Sequence, residues 1–218
     1  MAKMEKITSR NLPVKLAHLA DLDPDFARAY AAAGVPQIRS RPRGFTTLLK
    51  VICSQQISTA AARAIMACLE AAVSPLTAEG FLAETDADLR ALGLSRQKIE
   101  YGKALARAVS EGTLNFRKTH RMEDEAVIEE LTKIKGIGRW SAEVYLLFAL
   151  RRPDIWPVDD LAVVVAMQRI KGLAKRPGRK EMMALAENWR PLRSVAARLC
   201  WHYYNTVPRN GVRRKGDN

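Results

Sequence analysis

The sequence predicts an all-α fold arranged as two helical lobes. Three observations support this. Apolar residues recur at helical spacing through most of the 218 residues. No alternating strand pattern of useful length interrupts them. Glycines, prolines and N-capping side chains punctuate the chain where helices should start and stop. Hydrophobic residues make up 48% of the chain, as expected of a globular protein. No low-complexity linker separates the lobes, so they are expected to share an interface.

The elements follow in order. Residues 13–34 carry Leu16, Leu19 and Ala20 at helical spacing and break at Asp23-Pro24. Asp25 to Ala33 form a short second helix ended by Gly34. Residues 35–44 are a loop with two prolines and three arginines. Residues 44–73 are apolar-periodic, but Ser54-Gln55-Gln56 interrupts them, which predicts two helices joined by a tight turn. Residues 77–84 and 86–92 are short helices capped by Thr77 and Asp86. Gly93 closes the second, and Ser95 opens a helix through about Ser110. Residues 123–134 begin with Glu123-Asp124-Glu125, which suits the positive end of a helix dipole. Residues 139–150 form the next helix, and RRPDIWP (151–157) is a loop. Asp159 or Asp160 opens a helix to Ile170, and helices near 180–188 and 191–204 finish the chain.

The formal net charge is +13, which points to a polyanionic partner such as nucleic acid. The excess is concentrated: residues 1–15, 171–180 and 208–218 hold eleven of the thirteen units. Residues 1–11 are expected to be a basic arm and 208–218 a basic disordered tail, flanking a helical domain at 12–207. No apolar run approaches the roughly 20 residues of a membrane span. The N-terminus has no apolar signal region, so a cytoplasmic protein is expected, and a monomer is expected as well. Cys53, Cys68 and Cys200 are too few and too scattered for a disulfide framework or a four-cysteine metal site. His18, His120 and His202 show no ligand spacing.

The most informative segment is LTKIKGIGRWSA, Leu131–Ala142. Gly136 can adopt positive φ, and Gly138 begins a helix whose first N–H groups point outward. Such a helix start binds anions, and Lys133, Lys135 and Arg139 surround it. It would hold phosphate without reading sequence. Further along, Asp160 stands at the start of the apolar helix LAVVVAMQRI, where the dipole favours an ionised carboxylate.

The hairpin, the Pro157-containing loop and Asp160 together resemble the helix-hairpin-helix/Gly-Pro-Asp DNA glycosylase superfamily. The chain looks most like its 3-methyladenine DNA glycosylase II branch. GFTTLLKVICSQQIS, GLSRQKIEYGKALA and RPLRSVAARLCWHYY add to the likeness, which covers about residues 12–207. The resemblance implies a hairpin (131–142) at the cleft of the lobes and double-stranded DNA with alkylated bases as partner.

The resemblance also implies residue roles. Asp160 is the catalytic carboxylate, and Asp159 is left to cap the helix or touch the hairpin. Trp140 and Trp201 wall the base pocket, with Tyr145 and Tyr204 as looser additions. Val144 replaces a pocket aromatic of the family, which leaves the base range open. Trp140 stands where bifunctional members place a lysine, so a monofunctional enzyme without lyase activity is expected. Gln56, then Gln55, is the candidate wedge that fills the gap left by a flipped base. No cofactor is implied beyond a monovalent cation on the carbonyls of Thr132, Ile134 and Gly136. A glycosylase for another damaged base and a non-catalytic damaged-DNA-binding protein are the alternative readings.

Overall fold

The structure is a computed structural model that describes residues 5–38 and 41–208. Every regular element among the described residues is helical. The chain divides into two compact units: Met1–Arg39 with Arg151–Asn218, and Ser40–Leu150. The second unit is thus a single insertion into the first.

The first unit opens with α1 (Leu12–Leu22) and α2 (Pro24–Ala33). The break falls at Asp23-Pro24 as the sequence predicts, but the cap is Asp23 and α2 starts one residue earlier than expected. Asp23 Oδ1 accepts the N–H groups of Asp25 and Phe26 at 3.0 and 3.4 Å. The expected basic arm is docked where it is described. Ile7 is fully buried, and its N–H donates to the Arg151 carbonyl at 3.2 Å.

The second unit holds α3 (Phe45–Ser54), α4 (Thr59–Ala72), α5 (Ala78–Ala83), α6 (Asp86–Ala91) and α7 (Arg96–Ser110). It continues with α8 (Phe116–Thr119), α9 (Asp124–Thr132) and α10 (Arg139–Tyr145). Side-chain oxygens of Ser58, Thr77, Thr85 and Ser95 each accept a first-turn N–H, which fixes four helix starts. Thr85 caps α6 in place of Asp86, whose carboxylate instead takes the Lys103 ammonium at 2.6 Å. The short α8 was not expected from the sequence. Asn115 makes it, accepting the N–H groups of Arg117 and Lys118 at 3.0 and 3.2 Å. The expected helix 139–150 changes character partway: Leu146–Leu150 are π-helical.

The chain then returns to the first unit as α11 (Leu161–Ile170), α12 (Arg179–Ala186) and α13 (Arg193–Thr206). They share a core with α1 and α2 built on Leu16, Phe26, Met167, Trp189 and Leu199. Trp189 packs edge-on against Phe26 and Trp156, with ring centroids 4.7 and 5.3 Å apart. Its indole N–H donates to Asp23 at 2.8 Å, and the Lys171 ammonium reaches the same carboxylate at 2.5 Å. That buried network ties α2 to the end of α11. The basic tail expected from residue 208 lies, past Pro208, outside the described residues.

Candidate functional site

The hairpin is built in the second unit. After α9 ends, Ile134 N–H bonds Leu131 O at 3.1 Å and Ile137 N–H bonds Ile134 O at 3.0 Å. Gly136 has φ +90°, and a methyl added there would sit 2.1 Å from Tyr101 Cγ. Both facts require glycine at this position. Gly138 differs. Its φ is −87°, and an added methyl would meet open space. It is the N-cap of α10 and supplies no side-chain bond to the first turn. The outward N–H groups there suit an external anion.

The basic residues around the hairpin each have an acidic partner. Lys133 pairs with Glu130 at 2.7 Å, and Lys135 pairs with Glu100. Arg139 forks onto Glu125 at 2.6 and 2.9 Å and reaches Glu143 at 3.0 Å. Lys133 and Lys135 are largely exposed, so their pairs are weak and open to exchange for phosphate, whereas the forked Arg139 is held more firmly.

The two wedge candidates part company. Gln55 turns inward: its amide donates to Gly136 O at 2.9 Å and to Ser141 Oγ at 3.2 Å. Gln56 is exposed and held at φ +58°. The same Gln55 contact bears on the cation expected at the hairpin. Gly136 O already faces an amide N–H, and Ile134 O accepts Ile137 N–H. Each of these two oxygens keeps a second lone pair, so the contacts occupy them without closing them.

A groove of about 660 Å³ runs between the Gln55-Gln56 turn and the hairpin. Lys98 and Tyr101 of α7 line it beside Gly136 and Gly138. The sequence reading gave neither a role. Lys98 had left a signal, as a lysine four and seven residues from the buried Gly102 and Leu105 on one helix face.

Trp140 lies half-buried in the first turn of α10. Tyr145, expected in the pocket, is fully buried within its own unit. Its hydroxyl accepts the Gly44 N–H at 3.2 Å and its ring lies 6.0 Å from Phe116. Burial pushes its hydroxyl up to about 12. It is a core tyrosine that anchors the start of α3. Val144 is buried as well.

Asp160 belongs to the first unit. It is the N-cap of α11 and is 8% exposed. Its Oδ1 accepts two hydrogen bonds at 3.0 Å, from Val163 N–H and from the Trp201 indole N–H. Trp201 is half-buried on α13, so one expected site residue holds another. Asp159 is exposed and ion-paired with Arg179, and the cap of α11 is its neighbour Asp160. Tyr204 is half-buried on α13, packed against the first unit's core. Beneath this site Cys200 is fully buried, and burial together with the Asp160 charge pushes its thiol up. Among the described residues no cluster of three His, Cys, Asp or Glu could hold a metal. No helix of the described residues is long and apolar enough to cross a membrane.

Residues 49–191 match the family described as the HhH-GPD superfamily base excision DNA repair protein. DNA-3-methyladenine glycosylase 1 of Schizosaccharomyces pombe is 31% identical over 193 residues, covering 84% of each chain. A Bacillus subtilis relative is 36% identical over 121 residues, and the chain spans 42% of that relative's length. A solved structure of S. pombe 3-methyladenine DNA glycosylase in complex with abasic DNA superposes with a TM-score of 0.81. That match has 31% identity and covers 86% of this chain and 95% of the other.

Proposed function

The chain belongs to the HhH-GPD superfamily of base excision DNA repair proteins, and from that premise we propose that it is a monofunctional DNA glycosylase removing alkylated purines. The observation that carries this reading is Asp160, a nearly buried carboxylate fixed by its helix and by Trp201.

The chemistry follows from that carboxylate. Breaking the N-glycosidic bond develops oxocarbenium charge on the sugar. A pre-oriented anion in a water-poor setting stabilises that charge without reorganising. The same carboxylate orients the attacking water. The products are free base and an abasic site. N-alkylation often places positive charge on the purine, which makes it a good leaving group and a partner for aromatic faces. Trp140 and Trp201 are the aromatic candidates. The hairpin holds backbone phosphate through the start of α10. Gln56, exposed on its turn, fills the gap left by the flipped base.

Lyase activity needs an amine at the sugar C1′. Position 140 holds tryptophan, and Lys133 and Lys135 carry carboxylate partners. The reaction therefore stops at hydrolysis. Wild type should release base from methylated duplex DNA and should form no borohydride-trapped adduct with an abasic duplex. A trapped adduct overturns the monofunctional reading. Release of a deaminated or oxidised base in preference to alkylated purines supports the second reading, which rests on Val144. Duplex binding with no release of any base makes the chain a binding protein.

A further inference from the structure

Lys98 is 9% exposed, while every cation expected to grip DNA is on the surface. It stands in the first turn of α7, where its backbone N–H bonds the Ser95 cap at 3.3 Å. Its ammonium makes no hydrogen bond or ion pair among the described residues. The nearby thiol of Cys53 offers no counter-charge, since burial pushes it up to about 11. Desolvation pulls the Lys98 ammonium below its ordinary value.

A buried ammonium without a counter-ion is costly, so such groups are paired in finished assemblies. Lys98 is not sealed in the core. It lines the groove shared by Gln55, Gln56, Tyr101, Gly136 and Gly138. Among the described lysines that line it, Lys98 alone has no carboxylate for an entering anion to displace. At Lys133, Lys135 and Arg139 the same anion must compete with Glu130, Glu100 and Glu125.

We propose that Lys98 seats a DNA backbone phosphate in the groove between the Gln55-Gln56 turn and the hairpin. This rests on the glycosylase reading, which supplies the DNA. The contact is electrostatic and independent of sequence, and it adds one phosphate to those held by the start of α10.

The test is Lys98→Met, which keeps the apolar stem and removes the charge. Binding is measured by fluorescence anisotropy on a duplex carrying a stable abasic-site analogue. The variant should be at least as heat-stable as wild type. Its log–log salt slope should be shallower by about 0.9, so that between about 50 and 200 mM salt wild type loses about 3.5-fold more affinity. Scanning the duplex with single methylphosphonates should find one phosphate that matters to wild type and not to the variant. An unchanged slope with no such phosphate overturns the proposal. If Met disturbs folding, Lys98→Gln carries the same measurements. Should wild type excise base and bind with salt dependence while Lys98→Met matches it, this proposal alone falls. Should wild type show no salt-dependent binding, it falls together with the glycosylase reading.

Discussion

The Trp201 indole N–H donates to Asp160 Oδ1 at 3.0 Å, on the same oxygen that caps α11 through Val163 N–H. The carboxylate is therefore fixed from two directions. Its helix orients one side and a tryptophan of α13 orients the other.

Asp160→Asn tests the charge itself. Asparagine still caps a helix, so the fold should hold. Single-turnover release of base at saturating enzyme should fall by about 10²–10³, the usual loss when one electrostatic group is removed from a transition state. Duplex affinity should stay within a few-fold.

Trp201→Phe keeps an aromatic face and removes the N–H. Hydrogen bonds to charged groups contribute about 1.5–3 kcal/mol, so excision should slow by roughly tenfold or more. Affinity for an abasic duplex should change little. An unchanged excision rate would show that the indole N–H does not position Asp160 and leave Trp201 only its aromatic face.

The two hairpin glycines should behave oppositely. Gly136→Ala combines a φ of +90° with a methyl 2.1 Å from Tyr101, and should destabilise by about 3 kcal/mol or more in denaturant titration. Gly138→Ala meets open space and should cost less than about 1 kcal/mol. Its effect should instead show in DNA affinity, because the methyl stands where phosphate approaches.

Tyr145→Phe removes the bond to Gly44 and should lower stability by about 1 kcal/mol. The profile of lesions excised should be unchanged, as expected of a core residue. A shifted profile would restore Tyr145 to the pocket.

Asp23 contributes to the acid limb of stability. Burial pushes its carboxyl up, but hydrogen bonds from Lys171 and Trp189, with the Lys171 charge, outweigh that and hold it below its usual 3.8. A depressed folded-state value gives stability that is present above the unfolded value and lost as pH falls through the folded one. Wild type should therefore lose stability by circular dichroism more steeply than Asp23→Asn between about pH 5 and 2. At neutral pH the variant should be the less stable by about 2 kcal/mol, since Lys171 and Trp189 lose a charged acceptor.

The sequence by itself determined most of the helices and the hairpin, and narrowed the opening of α11 to Asp159 or Asp160. Each is set by residues within a turn or two of each other: Gly138 heading α10, Asp160 bonding Val163, Ser95 bonding Lys98. Spacing along the chain carries that information directly. Only the tertiary structure decided which glutamine is exposed, since Gln55 is turned inward by Gly136, 81 residues away along the chain. Only the tertiary structure moved Tyr145 into the core through Gly44, and gave Asp160 its second anchor in Trp201. The same holds for charge. Composition counts every lysine alike, but burial and pairing depend on what packs alongside. Glu100 therefore engages the exposed Lys135, while Lys98 stays buried on a helix face with the groove beside it.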